Sequence, residues 1–288
     1  MCLKVFVSGD RAGVGKTTVC LGLLEYLVET LGAEKVAYIK PATQSEKGDL
    51  VSLYCEAKGV RHVGGSRAPL VFYPGLTRAV ISGEARVSLA AIAAAVEAVC
   101  EGKSACVIDG VGYPAVGSCV GASNADVARA CRAPVVIVGR AGVGGAIDAH
   151  CLNAALFEKA GVPILGAIFN MADSSGFYAR DRIKLPLERY FAHSRPREVC
   201  YGIVPLFDAL AGGRSSLELA ERAANHVAAF VDFRALIKDA ELDAFNRRRD
   251  NPSLSAAPRP LPVDHDAPGV RERIEATAKK VAPPPPRT

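Results

Sequence analysis

The stretch FVSGDRAGVGKTTVCLG, residues 6–22, constrains this chain more than any other. A glycine-rich turn ending in Gly-Lys-Thr, placed after a run of β-formers and before apolar residues at helical spacing, suits strand, phosphate-binding loop, helix. Val19, Leu23, Leu24, Leu27 and Leu31 supply the helical stripe. The glycine spacing is unusual. In the common form, G-x-x-x-x-G-K-[ST], the first glycine falls on Asp10 when counted back from Gly15-Lys16-Thr17; here it is Gly9. In this setting the backbone N–H groups of 11–17 converge on a phosphate at a helix N-terminus, where the dipole favours an anion. Gly13, Val14, Gly15, Lys16, Thr17 and Thr18 are therefore expected to hold a nucleotide. Lys16 would reach the β- and γ-phosphates, and the Thr17 hydroxyl would hold Mg²⁺.

The rest of the chain continues the pattern. Residues 4–8, 36–39, 105–109, 134–139 and 164–169 are short apolar runs rich in β-branched residues, with a sixth at 200–204. Helical patterns occupy 16–31, 46–58, 88–101, 123–131, 144–160 and 180–192, and Ser215 with Glu218 suggests a capping box before a further helix. Continuous apolar strands joined by helical crossovers imply an α/β fold, a mostly parallel sheet with helices on both faces. The expected division is one such domain over 1–235, a basic helical extension over 236–249, and a disordered tail over 250–288. That tail holds half of the 18 prolines, too many for a packed core. Its proline run fits a ligand for a partner domain, or a solvated tail.

Charge and cysteine usage exclude several function classes. The net charge is +5 and the basic residues are dispersed apart from Arg247–Arg249, which is no nucleic-acid footprint. No apolar run has membrane-spanning length, and the N-terminus carries no secretory n-region. The nine cysteines include no C-x-x-C pair, so they read as small hydrophobes in a reducing, cytoplasmic setting, without zinc or disulfides. His62, His150, His193, His226 and His265 share no catalytic arrangement.

Asp109 ends the run CVID, where ligands gather beyond the carboxyl ends of parallel strands. It is a candidate metal carboxylate facing Lys16, or else a turn-capping aspartate before Gly110. Asp49 is a possible third metal ligand, equally explained as a solvated helix start. Lys40 ends the second strand in YIKPATQ, and there it can steady developing negative charge.

These pieces together resemble dethiobiotin synthetase and its relatives among the P-loop NTPases. The loop Gly9-Asp10-Arg11-Ala12-Gly13-Val14-Gly15-Lys16-Thr17 has that family's spacing, which accounts for the displaced glycine. Tyr38, Lys40 and Pro41 match its Y-x-K-P signature, and Asp109-Gly110-Val111-Gly112 its acidic residue before G-x-G. The resemblance covers roughly residues 3–207 and implies an ATP- and Mg²⁺-dependent ligase that closes a cyclic urea from a diamine and carbon dioxide. Lys16 and Lys40 would be catalytic. Asn170 would contact the adenine, with Val204, Pro205 and Leu206 lining the base pocket. Thr43, Gln44 and Ser45, and after Asp109 also Ser118 and Ser123, are candidates for binding a small-molecule acceptor. A homodimer is implied as well. The chain departs from the family in Asp10-Arg11, in the DGVGYPAVGSCVG turn, and in residues 55–84, which match no family element. No cysteine follows Cys200, so no cysteine-nucleophile amidotransferase is expected. Arg11 falls where partitioning-type ATPases carry a signature lysine. That keeps a nucleotide-switch ATPase open as an alternative, along with a non-catalytic ATP-binding regulatory module.

Overall fold

The computed structural model describes residues 2–44, 50–212 and 215–250. The proline-rich tail, Asp49 and Ser45 lie outside these residues. The elements run β1 (Leu3–Gly9), α1 (Lys16–Leu31), β2 (Val36–Ile39), β3 (Ala42–Thr43), α2 (Leu50–Lys58), β4 (Arg61–Val63), β5 (Leu70–Val71), α3 (Leu76–Ile81) and α4 (Leu89–Cys100). They continue with β6 (Ala105–Asp109), α5 (Asn124–Cys131), β7 (Val135–Arg140), α6 (Gly144–Lys159), β8 (Ile164–Ala172), α7 (Arg180–Ser194), β9 (Val199–Pro205), α8 (Leu217–Ala228) and α9 (Phe233–Asp250).

Seven strands form one sheet in the order β4-β2-β6-β1-β7-β8-β9, and every pairing in it is parallel. The alternation of side chains along β1 shows why both faces must be covered. Val5 and Val7 join a core with α1, α2, α8 and α9. Phe6 joins a second core with α4, α5 and α6. A third cluster packs α6 and α7 against β8 and β9. Strands buried on both sides lose the polar alternation of a half-exposed sheet, so their sequences read as unbroken apolar runs.

The chain order reverses direction across the sheet between β1 and its neighbours β6 and β7. That crevice, at the carboxyl ends of the strands, is where an open α/β sheet receives ligands. Two glycines set the packing around it. Gly22 lets α1 lie against α8, since a Cβ there would come within 2.7 Å of Val227. Gly166 has φ +149°, and a Cβ would fall 1.9 Å from the Val199 carbonyl oxygen, so β8 and β9 can pair only around a bare backbone.

Residues 55–84 contain pieces too short for a hydrophobic period to reveal. These are the three-residue edge strand β4, the two-residue strand β5, which pairs in parallel with β3 upstream, and the six-residue helix α3. The helix expected from 46 is described from Leu50. The α8 cap is Ser216 rather than Ser215: its Oγ accepts from the Leu219 N–H at 3.1 Å. This register puts Glu218 in the first turn, beside the dipole. α9 begins at Phe233, and Phe233, Leu236 and Ala240 are buried in the core shared by α1 and α8. Among the described residues no helix is long and apolar enough to cross a membrane.

Candidate active site

The loop between β1 and α1 is held by its backbone. Gly9 donates to the Gly112 carbonyl at 3.1 Å, and Asp10 still donates to Val138 of β7 at 2.8 Å. A Cβ on Gly9 would meet the carbonyl oxygens of Arg11 and Gly112, each at 2.8 Å. The glycine therefore belongs at position 9, where the turn after β6 presses on the chain, and Asp10 can carry a side chain because it extends the strand pairing. Gly13 and Gly15 both have positive φ, 74° and 80°, conformations that cost side-chain-bearing residues energy. α1 starts at Lys16 with no side-chain cap on Gly15, so its first N–H groups face the crevice as an anion site.

Asp109, fully buried at the end of β6, is the electrostatic centre. Its Oδ2 accepts from the Tyr38 hydroxyl and from Lys40 Nζ, both at 3.0 Å. Its Oδ1 is buried without a hydrogen-bond partner. Burial pushes the carboxyl up, but the charges of Lys40 and Lys16 and the two hydrogen bonds outweigh it and hold Asp109 below the usual carboxylate range. An ionised carboxylate with one oxygen committed and one open fits a divalent cation. Among the described residues no group of three His, Cys, Asp or Glu comes together as a metal cage. A cation here would lean on Asp109, the Thr17 hydroxyl and the oxygens of a nucleotide.

A second depressed carboxylate lies far from the crevice. Glu198 is raised by burial but lowered more by hydrogen bonds from His150 and Arg195. A depressed carboxylate contributes stability that is present above its unfolded pKa of about 4 and lost as pH falls through its folded value. The melting temperature is therefore expected to drop as pH passes below about 4. Glu198→Gln should flatten part of that slope, measured by circular dichroism from pH 7 to pH 2.5.

Asn170, at the end of β8, is buried and donates from Nδ2 to the Val14 carbonyl at 2.9 Å. Beside it lies a hollow of about 320 Å³ lined by Thr18, Asn170, Met171, Leu206, Phe207 and His226, among others. The His226 ring stacks on Phe207 at 4.9 Å and its Nε2 meets the Pro205 carbonyl oxygen at 2.9 Å. Pro205 thus positions a wall of the hollow through its backbone. On the other side of Met171 a hollow of about 400 Å³ is bordered by Arg11, Arg140, Gly144, Asp173 and Tyr178.

The structure brings the loop residues 13–18, Asp109, Lys40 and Asn170 to one edge of the sheet. Of the acceptor candidates, four fall among the described residues. Thr43 is buried in β3, paired with β5, and Gln44 is exposed. Ser123 caps α5 in a capping box with Asp126, and Ser118 bonds the Ala115 carbonyl. Arg11 folds onto the buried Asp10 carboxylate, with contacts of 3.1 and 3.3 Å.

Sequence reasoning overlooked two amides. Asn124 bonds both the N–H and the carbonyl of Val111 and the carbonyl of Tyr113, fixing the turn after Asp109. Asn153 reaches from α6 to the Asp10 carbonyl at 3.0 Å. The one available signal was Asn124 following Ser123 at a helix start.

Residues 4–212 match the family described as AAA domain (AAA_26). The ATP-dependent dethiobiotin synthetase BioD of Anaeromyxobacter dehalogenans strain 2CP-C is 31% identical over 174 residues, 58% of this chain and 75% of that protein. The same-named protein of Anaeromyxobacter sp. strain K is 30% identical over the same spans. Among solved structures, the MinD cell division protein of Aquifex aeolicus aligns with 83% of this chain and 95% of its own, at 14% identity and a TM-score of 0.48. With the variant loop, the lysine that ends β2 and the carboxylate that ends β6 all in place, the chain belongs to the dethiobiotin synthetase-like family of P-loop NTPases, within the AAA domain family that spans residues 4–212.

Proposed function

We propose that this protein is an ATP- and Mg²⁺-dependent ligase that phosphorylates a carbamate or carboxylate of a small molecule and closes a C–N bond. The specific reaction we favour is formation of a cyclic urea from a diamine and carbon dioxide, as in biotin biosynthesis. The observation that carries this is the pairing of Lys40 with Asp109 at the mouth of the phosphate loop. A nucleotide-binding module needs Lys16 and the loop; a second lysine beside the γ-phosphate position serves an anionic acceptor.

In the reaction, one amine of the diamine takes up carbon dioxide as a carbamate. A carbamate oxygen then attacks the γ-phosphorus and ADP leaves with the bridging oxygen's electron pair. The second amine adds to the activated carbonyl carbon, phosphate departs, and the ring closes with loss of a proton. No covalent bond to the protein forms, so catalysis is positioning and charge stabilisation. Lys16 neutralises charge on the transferring phosphoryl group. Lys40 holds the carbamate oxygen, and the N–H groups of 13–18 hold the β-phosphate. Asp109 and Thr17 would hold Mg²⁺, which supplies charge neutralisation on the phosphate oxygens. The hollow beside Phe207 and His226 takes the base. A homodimer is part of this proposal, since the family's active sites border a dimer interface.

Purified full-length protein is assayed for ADP release with Mg²⁺-ATP, with and without bicarbonate and 7,8-diaminononanoate, with mass analysis of the product. The expected result is ADP and dethiobiotin only when both are present, and a rate loss of about 10²–10³ in Lys16→Ala. ADP release independent of acceptor would replace the ligase with a switch ATPase. ATP binding without turnover would exclude this diamine as the acceptor.

A further inference from the structure

We propose that Tyr38 is a positioning residue for the cation: its hydroxyl fixes the Asp109 carboxylate so that Oδ1 stays open to the metal, and keeps it fixed when Lys40 turns to an acceptor. The proposal rests on the reading of Asp109 as the carboxylate that holds Mg²⁺.

The sheet register brings the three groups together. β2 and β6 pair in parallel with Tyr38 opposite Val107. Paired residues share a face of the sheet, and so do residues two apart along a strand. Tyr38 and Asp109 are therefore on one face, the side on which Tyr38 and Val107 pack in the core with α1. Lys40 continues the extended chain beyond β2, its N–H donating to the Val63 carbonyl at 2.8 Å. Both side chains of the Y-x-K spacing thus meet one carboxylate oxygen, Asp109 Oδ2, at 3.0 Å each.

The two donors differ in what they can do next. Tyr38 is 0% exposed and its ring is locked in the core. The Lys40 side chain is 17% exposed and carries its charge on a flexible four-carbon stem. Lys40 can leave the carboxylate for an anion in the crevice; Tyr38 cannot.

A phenylalanine would fill the same space in a buried strand with no polar atom to satisfy. The hydroxyl is explained by the carboxylate it meets. Hydrogen-bonded partners behind a metal's carboxylate set that ligand's orientation. With Lys40 withdrawn and no hydroxyl at position 38, Oδ2 would lose both of these donors and the carboxylate would be free to turn. With Tyr38 in place one donor stays on Oδ2, and Oδ1, buried without a hydrogen-bond partner, keeps its direction.

The test measures binding of Mg²⁺-ATP and of ATP in EDTA to the full chain by titration calorimetry. For Tyr38→Phe, which keeps the ring and loses only the hydroxyl, Mg²⁺-ATP is expected to weaken about tenfold, with ATP in EDTA unchanged. In an Asp109→Asn background the same substitution is expected to change neither, because its effect passes through that carboxylate. Unchanged Mg²⁺-ATP binding in Tyr38→Phe would overturn the proposal. Equal weakening with and without Mg²⁺, or a further loss in the Asp109→Asn background, would make the hydroxyl a packing element and overturn it as well. Tyr38→Met also lacks the hydroxyl and serves if the phenylalanine variant does not fold. Wild-type protein whose ATP binding is indifferent to Mg²⁺ would refute the cation site itself, an outcome distinct from these.

Discussion

Asp109→Asn is expected to weaken Mg²⁺-ATP binding about 100-fold and to lower turnover by about 10³, while binding of ATP in EDTA is little changed. The asparagine occupies the same volume, so the effect is electronic. A buried charge is removed at the point where Oδ1 stands open and where Lys16 and Lys40 converge. The amide that replaces one oxygen also presents donors where Tyr38 and Lys40 already donate. Titration calorimetry with and without Mg²⁺ separates the two states of the nucleotide. Equal weakening in both would show that Asp109 serves the loop's architecture and not a cation.

The second large effect is on stability. Gly166→Ala is expected to cost about 3–5 kcal/mol, combining overpacking with strain at a backbone angle closed to side chains. The inserted methyl would face the Val199 backbone, its oxygen at 1.9 Å and its nitrogen at 2.5 Å, and neither atom can yield without unpairing β8 from β9. For a domain of this size each kcal/mol shifts the melting temperature by about 2–4 °C, so a fall on the order of 10 °C is expected. A scanning melt of the variant checks it, and a shift under 2 °C would mean that the β8–β9 pair has slack.

The central strands and the first helix were legible because burial on both faces forces unbroken apolar runs, and because α1 must follow its loop. Gly9 shows how a spacing anomaly carries tertiary information, since the cause lies at Gly112, a hundred residues away. Asn124 and Asn153 were not legible, and Asn170 was reached only through the family resemblance. An amide that braces a distant backbone has no period and no characteristic neighbour. Ser123, one of the acceptor candidates, caps α5 in a box with Asp126. Thr43 follows Lys40 by three residues, and there the chain turns into the β3–β5 pair, two strands of two residues each that no periodicity announces.

The shared carboxylate of Asp109 also bears on order of events. Its charge is divided between Lys40 on one oxygen and the open oxygen beside the phosphate loop. On the proposed ligase reading, an acceptor anion that draws the ammonium away would leave more of that charge for the open oxygen, so acceptor and cation would reinforce one another. Such heterotropic coupling is reciprocal: the factor by which the acceptor tightens Mg²⁺ equals the factor by which Mg²⁺ tightens the acceptor. Without an acceptor, Lys40 would compete for the carboxylate and the proposed assembly would stay incomplete. In the proposed ligase the same ion pair would act as an interlock against idle ATP hydrolysis.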